Sequence, residues 1–395
     1  MNRKVVVVGG GYGGSLVAKE LDAEADVTLI DPREGFVNAA ASLRALTRPD
    51  WAPNAFFPFE TLLERGRVIR ATAVSVDPRG VTLDSGERVE ADYLVLATGS
   101  SYTYPAKPNP ASTSIAKQLD DLRETHKELA GADRVLILGA GPVGLELAGE
   151  IKDVWPDKYV VIVERADQVL PGFLPEVRDD LLRQLDELGI ELRLDTGLTS
   201  QPPVAPGLAG RFTVTTDKDD QIVADIWFRA FGVRINTDYL ADRHLSPLTG
   251  QATVPVTERL NVQGYEHVYA IGDIAALADP KTASYAMTHA EVVAKNTKAQ
   301  LAGDRPATIH APTPERRILL PLGEHAGVGQ LPTPDGVAAA TAETVNQRKG
   351  ADLFTARFAA RFDTARPTHR TQRTGERSAT ESAASRLPRA PRSTN

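Results

Sequence analysis

The 395-residue sequence predicts an α/β fold: two Rossmann-like, three-layer dinucleotide-binding units, then a small C-terminal α+β domain. Three observations carry this prediction. A β-branched run meets glycines and then a helical pattern twice, in VVVVGGGYGG (Val5 to Gly14) and in VLILGAGPVG (Val135 to Gly144). Each copy is followed by a second apolar run ending in an acid, Asp31 in VTLIDPRE and Glu164 in VVIVERAD. Each then reaches an apolar strand with a glycine turn, so that Gly9 to Gly99 spans 90 residues and Gly139 to Gly232 spans 93. A single glycine fingerprint is weak evidence, because many such turns hold no ligand. A duplicated unit at near-equal spacing is much stronger.

Each element has a physical role. The first glycine (Gly9, Gly139) makes the tight turn, the second (Gly11, Gly141) lets a pyrophosphate approach the backbone, and the third (Gly14, Gly144) lets helix pack on strand. The helix N-terminus then faces the phosphates. Gly10, Tyr12 and Gly13 complete the first loop; Pro142, tolerated at a first helical position, and Val143 complete the second. The strand-end carboxylates Asp31 and Glu164 can accept hydrogen bonds from a ribose diol, whereas Arg165 could accommodate a 2′-phosphate. Later, LNVQGYEHVYAIGDIAAL places Gly272 and Asp273 at a strand end before a helical stretch, where open α/β sheets put ligands. Asp273 could equally serve only as a helix cap.

Composition narrows the chemistry. The net charge of −7 offers no general attraction to nucleic acid or anionic membrane. No run approaches the ~18 apolar residues of a membrane span, and a cytoplasmic protein is expected. Cysteine is absent, which removes disulfides, thiolate nucleophiles and cysteine-ligated iron–sulfur clusters. The seven histidines show no metal-site spacing, and no metal is expected. Any electrons handled must sit on a bound cofactor.

With GGGYGG, the Ala97-Thr98-Gly99 turn, GAGPVG and YAIGD in place, the sequence resembles the two-dinucleotide flavoproteins, the NAD(P)H-dependent FAD reductases. Within them it is similar to the ferroptosis-suppressor group of apoptosis-inducing-factor-like oxidoreductases, through FVNAAASLRA, LATGSSYTYPAK, GLELAGEIKDVWPDK, VYAIGDIAALADPKTASYAMTHA and LLPLGEHAGVGQL. The resemblance implies that FAD is held by the first fingerprint, Asp31, Arg44, the backbone near Ala73, the Ala97–Gly99 turn, Gly272 and Asp273. NADH or NADPH would exchange at the second, with Glu164, Arg165 and Gly232, and NADH is favoured by the Glu164 carboxylate. It implies an FAD domain over residues 1–112 and 226–302, an inserted NAD(P)H domain over 113–225 and a small domain over 303–365. Residues 366–395, rich in Arg, Ser, Thr, Ala and Pro, read as a disordered tail. Without a cysteine pair the electron acceptor must be external, with a quinone first, then dioxygen, a dye or a small redox protein. Two alternatives stand beside this: a ferredoxin or rubredoxin reductase, and a redox-sensing interaction protein like the apoptosis-inducing factor. Monomer and homodimer are both open.

Individual residues carry a bland and a sharp reading. Glu146, read as a first-turn acid, either pairs with the helix dipole or, as the resemblance implies, works near the flavin and nicotinamide rings. Lys107 is either a solvated loop lysine or a cation beside the flavin. His289 reads as a structural helix residue, with contact to a quinone as the alternative. Trp51, Phe56, Phe57 and Phe59 read as core before lid. Phe354, Phe358 and Phe362 share a helical face beside Arg357 and Arg361, to pack on the flavin domain or lie on the inner face of a membrane.

Overall fold

A computed structural model describes residues 3–312 and 315–364, so the 366–395 tail lies outside the described residues. The valine run forms the central strand Lys4–Val8, buried on both faces, as a parallel sheet requires of a continuous β-branched segment. Its sheet runs Val268–Ala270, Tyr93–Leu96, Lys4–Val8, Asp26–Ile30, Arg67–Ile69, all parallel. A second parallel sheet repeats the pattern as Ile226–Arg229, Arg134–Leu138, Tyr159–Val163, Ile190–Arg193. Because Val268–Ala270 completes the first sheet after the second is finished, the second unit is inserted in the first. The segments joining the units, Ser100–Ser101 and Arg234–Ile235, pair antiparallel.

The expected return to the first unit at residue 226 is too early. Ile226–Arg229 is hydrogen-bonded beside Arg134–Leu138, as Tyr93–Leu96 is beside Lys4–Val8, so this apolar strand belongs to the inserted unit.

After the Ala283–Leu301 helix comes a three-stranded antiparallel sheet, Ile318–Leu322, Ala326–Thr333 and Gly336–Ala340. It docks on the second fingerprint helix, Pro142–Val154, where a Cβ on Gly149 would meet Leu322 Cα at 2.4 Å. The last helix, Thr355–Phe362, crosses back to the first unit. There Phe358 and Phe362 are buried against Phe36, at centroid distances of 4.8 and 5.3 Å, and beside Phe57. Phe358 and Phe362, two of the three phenylalanines offered to a membrane surface, are thus covered by the protein itself, while Phe354 is half-buried. Arg361 donates to the Tyr12 carbonyl and the Ser15 hydroxyl rather than to a headgroup. Phe56, Phe57 and Phe59 are core, while Trp51 is half-buried under the Arg44 guanidinium. Among the described residues no helix is long and apolar enough to cross a membrane.

One buried ion pair ties the three parts together. Arg44, on the Ser42–Thr47 helix of the first unit, donates to Glu150 Oε1 at 2.8 and 3.0 Å on the fingerprint helix of the second. The same guanidinium donates to the Gly350 carbonyl of the C-terminal domain at 2.6 Å. Arg48 adds Glu150 Oε2 at 2.6 Å and also pairs with Asp153. Arg44 and Glu150 side chains are only 1% and 4% exposed, so neither charge can fall back on water. Arg44→Met should leave the Glu150 charge with Arg48 as its one guanidinium partner and destabilise the chain by about 1.5–3 kcal/mol in denaturant unfolding. Double replacement of Arg44 and Glu150 by apolar residues should recover most of that loss. A single variant as stable as the parent would remove the pair's structural role.

Candidate functional site

The two fingerprints are the same object in backbone geometry. Gly9 and Gly139 adopt φ +100° and +108°, where a Cβ would meet the Ala97 carbonyl at 2.5 Å and the Ala230 carbonyl at 2.8 Å. A Cβ on Gly14 or Gly144 would come within 1.8 or 2.0 Å of the carbonyl of Gly9 or Gly139, so helix and strand touch there. Gly11 and Gly141 are the reverse: a Cβ would meet nothing within 4 Å. Each precedes a helix, Tyr12–Leu21 or Pro142–Val154, whose first N–H groups have no intrahelical partner. Open room at a helix N-terminus fits a pyrophosphate, and the residues present therefore fit a dinucleotide in each unit. Gly99 and Gly232, at φ +62° and +95°, are likewise open at the ends of matching strands. The hydroxyl of Thr98, next to Gly99, donates to the Asn236 carbonyl, at the crossing of the units.

The strand-end acids also correspond. Asp31 Oδ2 accepts the Gly10 N–H and Glu164 Oε2 accepts the Ala140 N–H, each at 2.7 Å. Their remaining contacts differ. Burial pushes the Asp31 carboxyl up, but Arg33, bonding through both backbone and guanidinium, more than offsets it and holds it below the usual range. Glu164 is half-buried, and its Oε1 accepts the Ala166 N–H. Arg165 is exposed near Gly197.

Asp273 is the middle residue of a 3-10 turn, Gly272–Ile274, just after strand Val268–Ala270. Its Oδ2 accepts the Ser100 hydroxyl at 2.5 Å. Lys107 donates to the carbonyl of Ser100 and, at 3.0 Å, to its hydroxyl. Lys107, Ser100 and Asp273 thus form one chain beside the Ala97–Gly99 turn. Burial pulls the Lys107 ammonium pKa down, against the nearby Asp273 charge.

Glu146 lies in the second turn of its helix, because the helix starts at Pro142; the first-turn dipole reading is corrected accordingly. Its Oε1 accepts from Lys349 Nζ at 2.6 Å, with the two side chains 12% and 14% exposed. Burial raises the Glu146 carboxyl pKa even though Lys349 pulls it down. Tyr12, first in the other fingerprint helix, is near enough for the Glu146 charge to raise its phenol further, above the rise that burial already causes. The phenol donates to Asn38 Oδ1 at 2.9 Å and accepts the Ala40 N–H at 3.0 Å. Glu146, Tyr12 and Lys349 therefore bring the two nucleotide units and the C-terminal domain to one place.

Two residues expected at the flavin are seen here with protein partners or in a separate sheet. Arg44 directs donors to Glu150 and to backbone carbonyls of the C-terminal domain, contacts that join the domains. Ala73 starts an edge strand, Ala73–Asp77, of a separate three-stranded antiparallel sheet and is half-buried. Sequence reasoning missed Lys349, Arg33 and Ser100. Arg33 was readable two positions after Asp31, but Lys349 in NQRKG belongs to no motif and meets Glu146 only through the fold.

The pyridine nucleotide-disulphide oxidoreductase family matches residues 3–290. Ferroptosis suppressor protein 1 of Taeniopygia guttata is 31% identical over 336 residues, covering 83% of this chain and 88% of that protein. An FAD-dependent oxidoreductase of Flammulina velutipes is 30% identical over 285 residues, covering 70% and 85%. In fold, the chain is similar to the sulfide:quinone oxidoreductase of Aquifex aeolicus, with a TM-score of 0.69, 19% identity and 91% of each chain covered. With two nucleotide-binding sheets of matching geometry and this extent of likeness, the chain belongs to the pyridine nucleotide-disulphide oxidoreductase family, and it does so without a cysteine from which to build a redox disulfide.

Proposed function

We propose that the chain is an NAD(P)H-dependent FAD oxidoreductase whose electron acceptor is a quinone. The observation that carries the reading is the buried Glu146–Lys349 pair at the junction of the two nucleotide units. The family implies FAD and NAD(P)H, one relative is named an FAD-dependent oxidoreductase, and a protein of similar fold is named a sulfide:quinone oxidoreductase. When bound, FAD supplies the chemistry that accepts hydride from the nicotinamide and passes electrons on.

The chain's own residues supply binding, orientation and protons. The Gly9–Gly14 loop, with Gly10 held to Asp31, would hold the flavin's phosphates, and Asp273, fixed by Ser100 and Lys107, would add a further polar contact. The Gly139–Gly144 loop does the same for the nicotinamide nucleotide, and Glu164 at its strand end favours NADH by repelling a 2′-phosphate. Quinone reduction consumes two protons as well as two electrons. Glu146 is suited to that need: burial makes its carboxyl a better proton holder than a free one, and Lys349 keeps Oε1 in place. The absence of cysteine leaves the acceptor outside the chain.

The direct test is anaerobic mixing of the yellow protein with NADH, then a short-chain quinone. Bleaching followed by rapid return of colour is expected; a chain that takes up no FAD would end the reading. Glu146→Gln and Lys349→Met should each lower kcat with quinone by about 100-fold while keeping the flavin content of the parent. Unchanged turnover in both would return the pair to a structural role. Gly141→Val, placed where φ is −71° and no atom lies within 4 Å, should leave the melting temperature unchanged and raise the KM for NADH by about tenfold or more. An unaltered KM would move the nucleotide to another surface.

A further inference from the structure

Behind the Asp273 turn lies a buried cluster that the proposed function does not use. Asp279, His289 and His310 come from three separate segments, yet one ligand-type atom of each lies within 4.8 Å of the others. Asp279 Oδ2 faces His310 Nε2 at 2.7 Å and His289 Nε2 at 3.3 Å, and the three side chains are 2–4% exposed. Asp279 Oδ1 has no hydrogen-bond partner among the described residues. Asp279 and His289 line a small cavity that also touches Gly272, Asp273 and Tyr285.

The other side of His289 decides what this cluster is for. The backbone N–H of Gly272 donates to His289 Nδ1 at 3.1 Å. Nδ1 must then present its lone pair, so the hydrogen of the neutral ring sits on Nε2 and is donated to Asp279. This tautomer is assigned from its partners. A metal on Nε2 would move that hydrogen to Nδ1, against the Gly272 N–H, donor facing donor. The geometry thus disfavours a metal and points to the turn. Gly272 sits at φ +70°, at the start of the turn from which Asp273 reaches Ser100.

Resting on the flavoprotein reading above, we propose that His289 is the positioning residue of the Gly272–Asp273 turn, locked in its Nε2–H tautomer by the carboxylate it shares with His310, so that flavin is held only while His289 is neutral. Protonation would place a hydrogen on Nδ1, break the Gly272 bond and loosen Asp273. Burial, and then positive charge on His310, hold the His289 pKa down at about 4, against the Asp279 and Asp273 charges. Asp279 and His310 face the ring directly; Lys281 is bonded to the Asp273 carbonyl and Arg317 stacks on Tyr285. The sign follows: an unfolded histidine protonates near 6.5, so the neutral ring favours the native state fully above about pH 6.5, and this contribution is lost as pH falls towards 4.

Asparagine and glutamine separate the two ends of the ring. In His289→Asn the side-chain oxygen stands near Nδ1 and can accept the Gly272 N–H; in His289→Gln the amide stands near Nε2 and the Gly272 N–H is left unpaired. FAD binding to apo-protein, followed by flavin fluorescence from pH 3.5 to 7.5, is the readout. At pH 7.5 the Gln variant should bind FAD about tenfold more weakly, and the Asn variant within about threefold of wild type. The Asn variant should also lose the part of the acid weakening that belongs to His289. His310→Gln, which removes the opposing positive charge, should move acid release of flavin to higher pH, and this arm stands even if the Gln variant of His289 fails to fold. Equal affinities for the Asn and Gln variants, or an unmoved acid profile in His310→Gln, overturn the inference while leaving the flavoprotein reading intact. Stoichiometric zinc surviving dialysis against chelator, and lost in His310→Gln, overturns it in favour of a metal site. A wild-type chain that binds no FAD takes both readings down.

Discussion

Arg44 and Glu150 fix where three parts of the chain meet, and the geometry of the candidate site depends on that junction. Glu150 lies one helical turn beyond Glu146, and Gly350, whose carbonyl Arg44 grips, directly follows Lys349. The guanidinium therefore sets the distance between the helix that carries the acid and the segment that carries the lysine. Arg48, Asp153 and Glu324 extend the network toward solvent. Gly149 removes the side chain that would keep Leu322 away, so close packing and ion pairing act on the same few residues. A guanidinium suits this position because its planar fork can bond a carboxylate and still have donors for carbonyls on a third segment.

The duplication imposes a second constraint. In each unit a glycine at positive φ turns the chain under the next strand's carbonyl, and a strand-end carboxylate pins the following N–H. These contacts are too short for side chains, which is why the glycines repeat at the same offsets. The copies diverge where their tasks can differ. Arg33 closes over Asp31, whereas Glu164 is left to backbone donors, and a tightly closed acid suits a resident ligand better than an exchanging one. The extra strand Val268–Ala270 brings the Asp273 turn to the first unit only.

Much of this was legible because it is local. Strand, glycine turn, helix and acid lie within about one βαβ unit, and their periodicity and backbone needs are written in consecutive residues. The nesting could be read from the placement of YAIGD after the second copy, although its boundary was set too early because IVADIWFR looks the same whichever sheet it joins. What escaped was carried by long-range contacts. Nothing near Lys349 announces an acid some 200 positions earlier, and nothing near His310 announces Asp279 or His289. Arg44 was assigned by resemblance to a ligand, while the structure shows its donors spent on protein partners. The phenylalanines of the last helix had a legible apolar face, but which surface covers it depends on how the C-terminal domain returns to the first unit.

The two buried ion pairs at the junction call for different explanations. A buried pair costs desolvation that its attraction barely repays, so an apolar contact of similar volume could hold two elements as well. Arg44 with Glu150 escapes this objection because one cation serves three segments through several hydrogen bonds at once. Glu146 with Lys349 joins fewer groups, and the Glu146 carboxyl is raised despite the ammonium against it, so burial dominates over attraction. Such a carboxyl is poorly arranged for stability but well arranged to take and give a proton. Its place where the two nucleotide units and the C-terminal domain converge is the ground for the proton-handling role proposed for it.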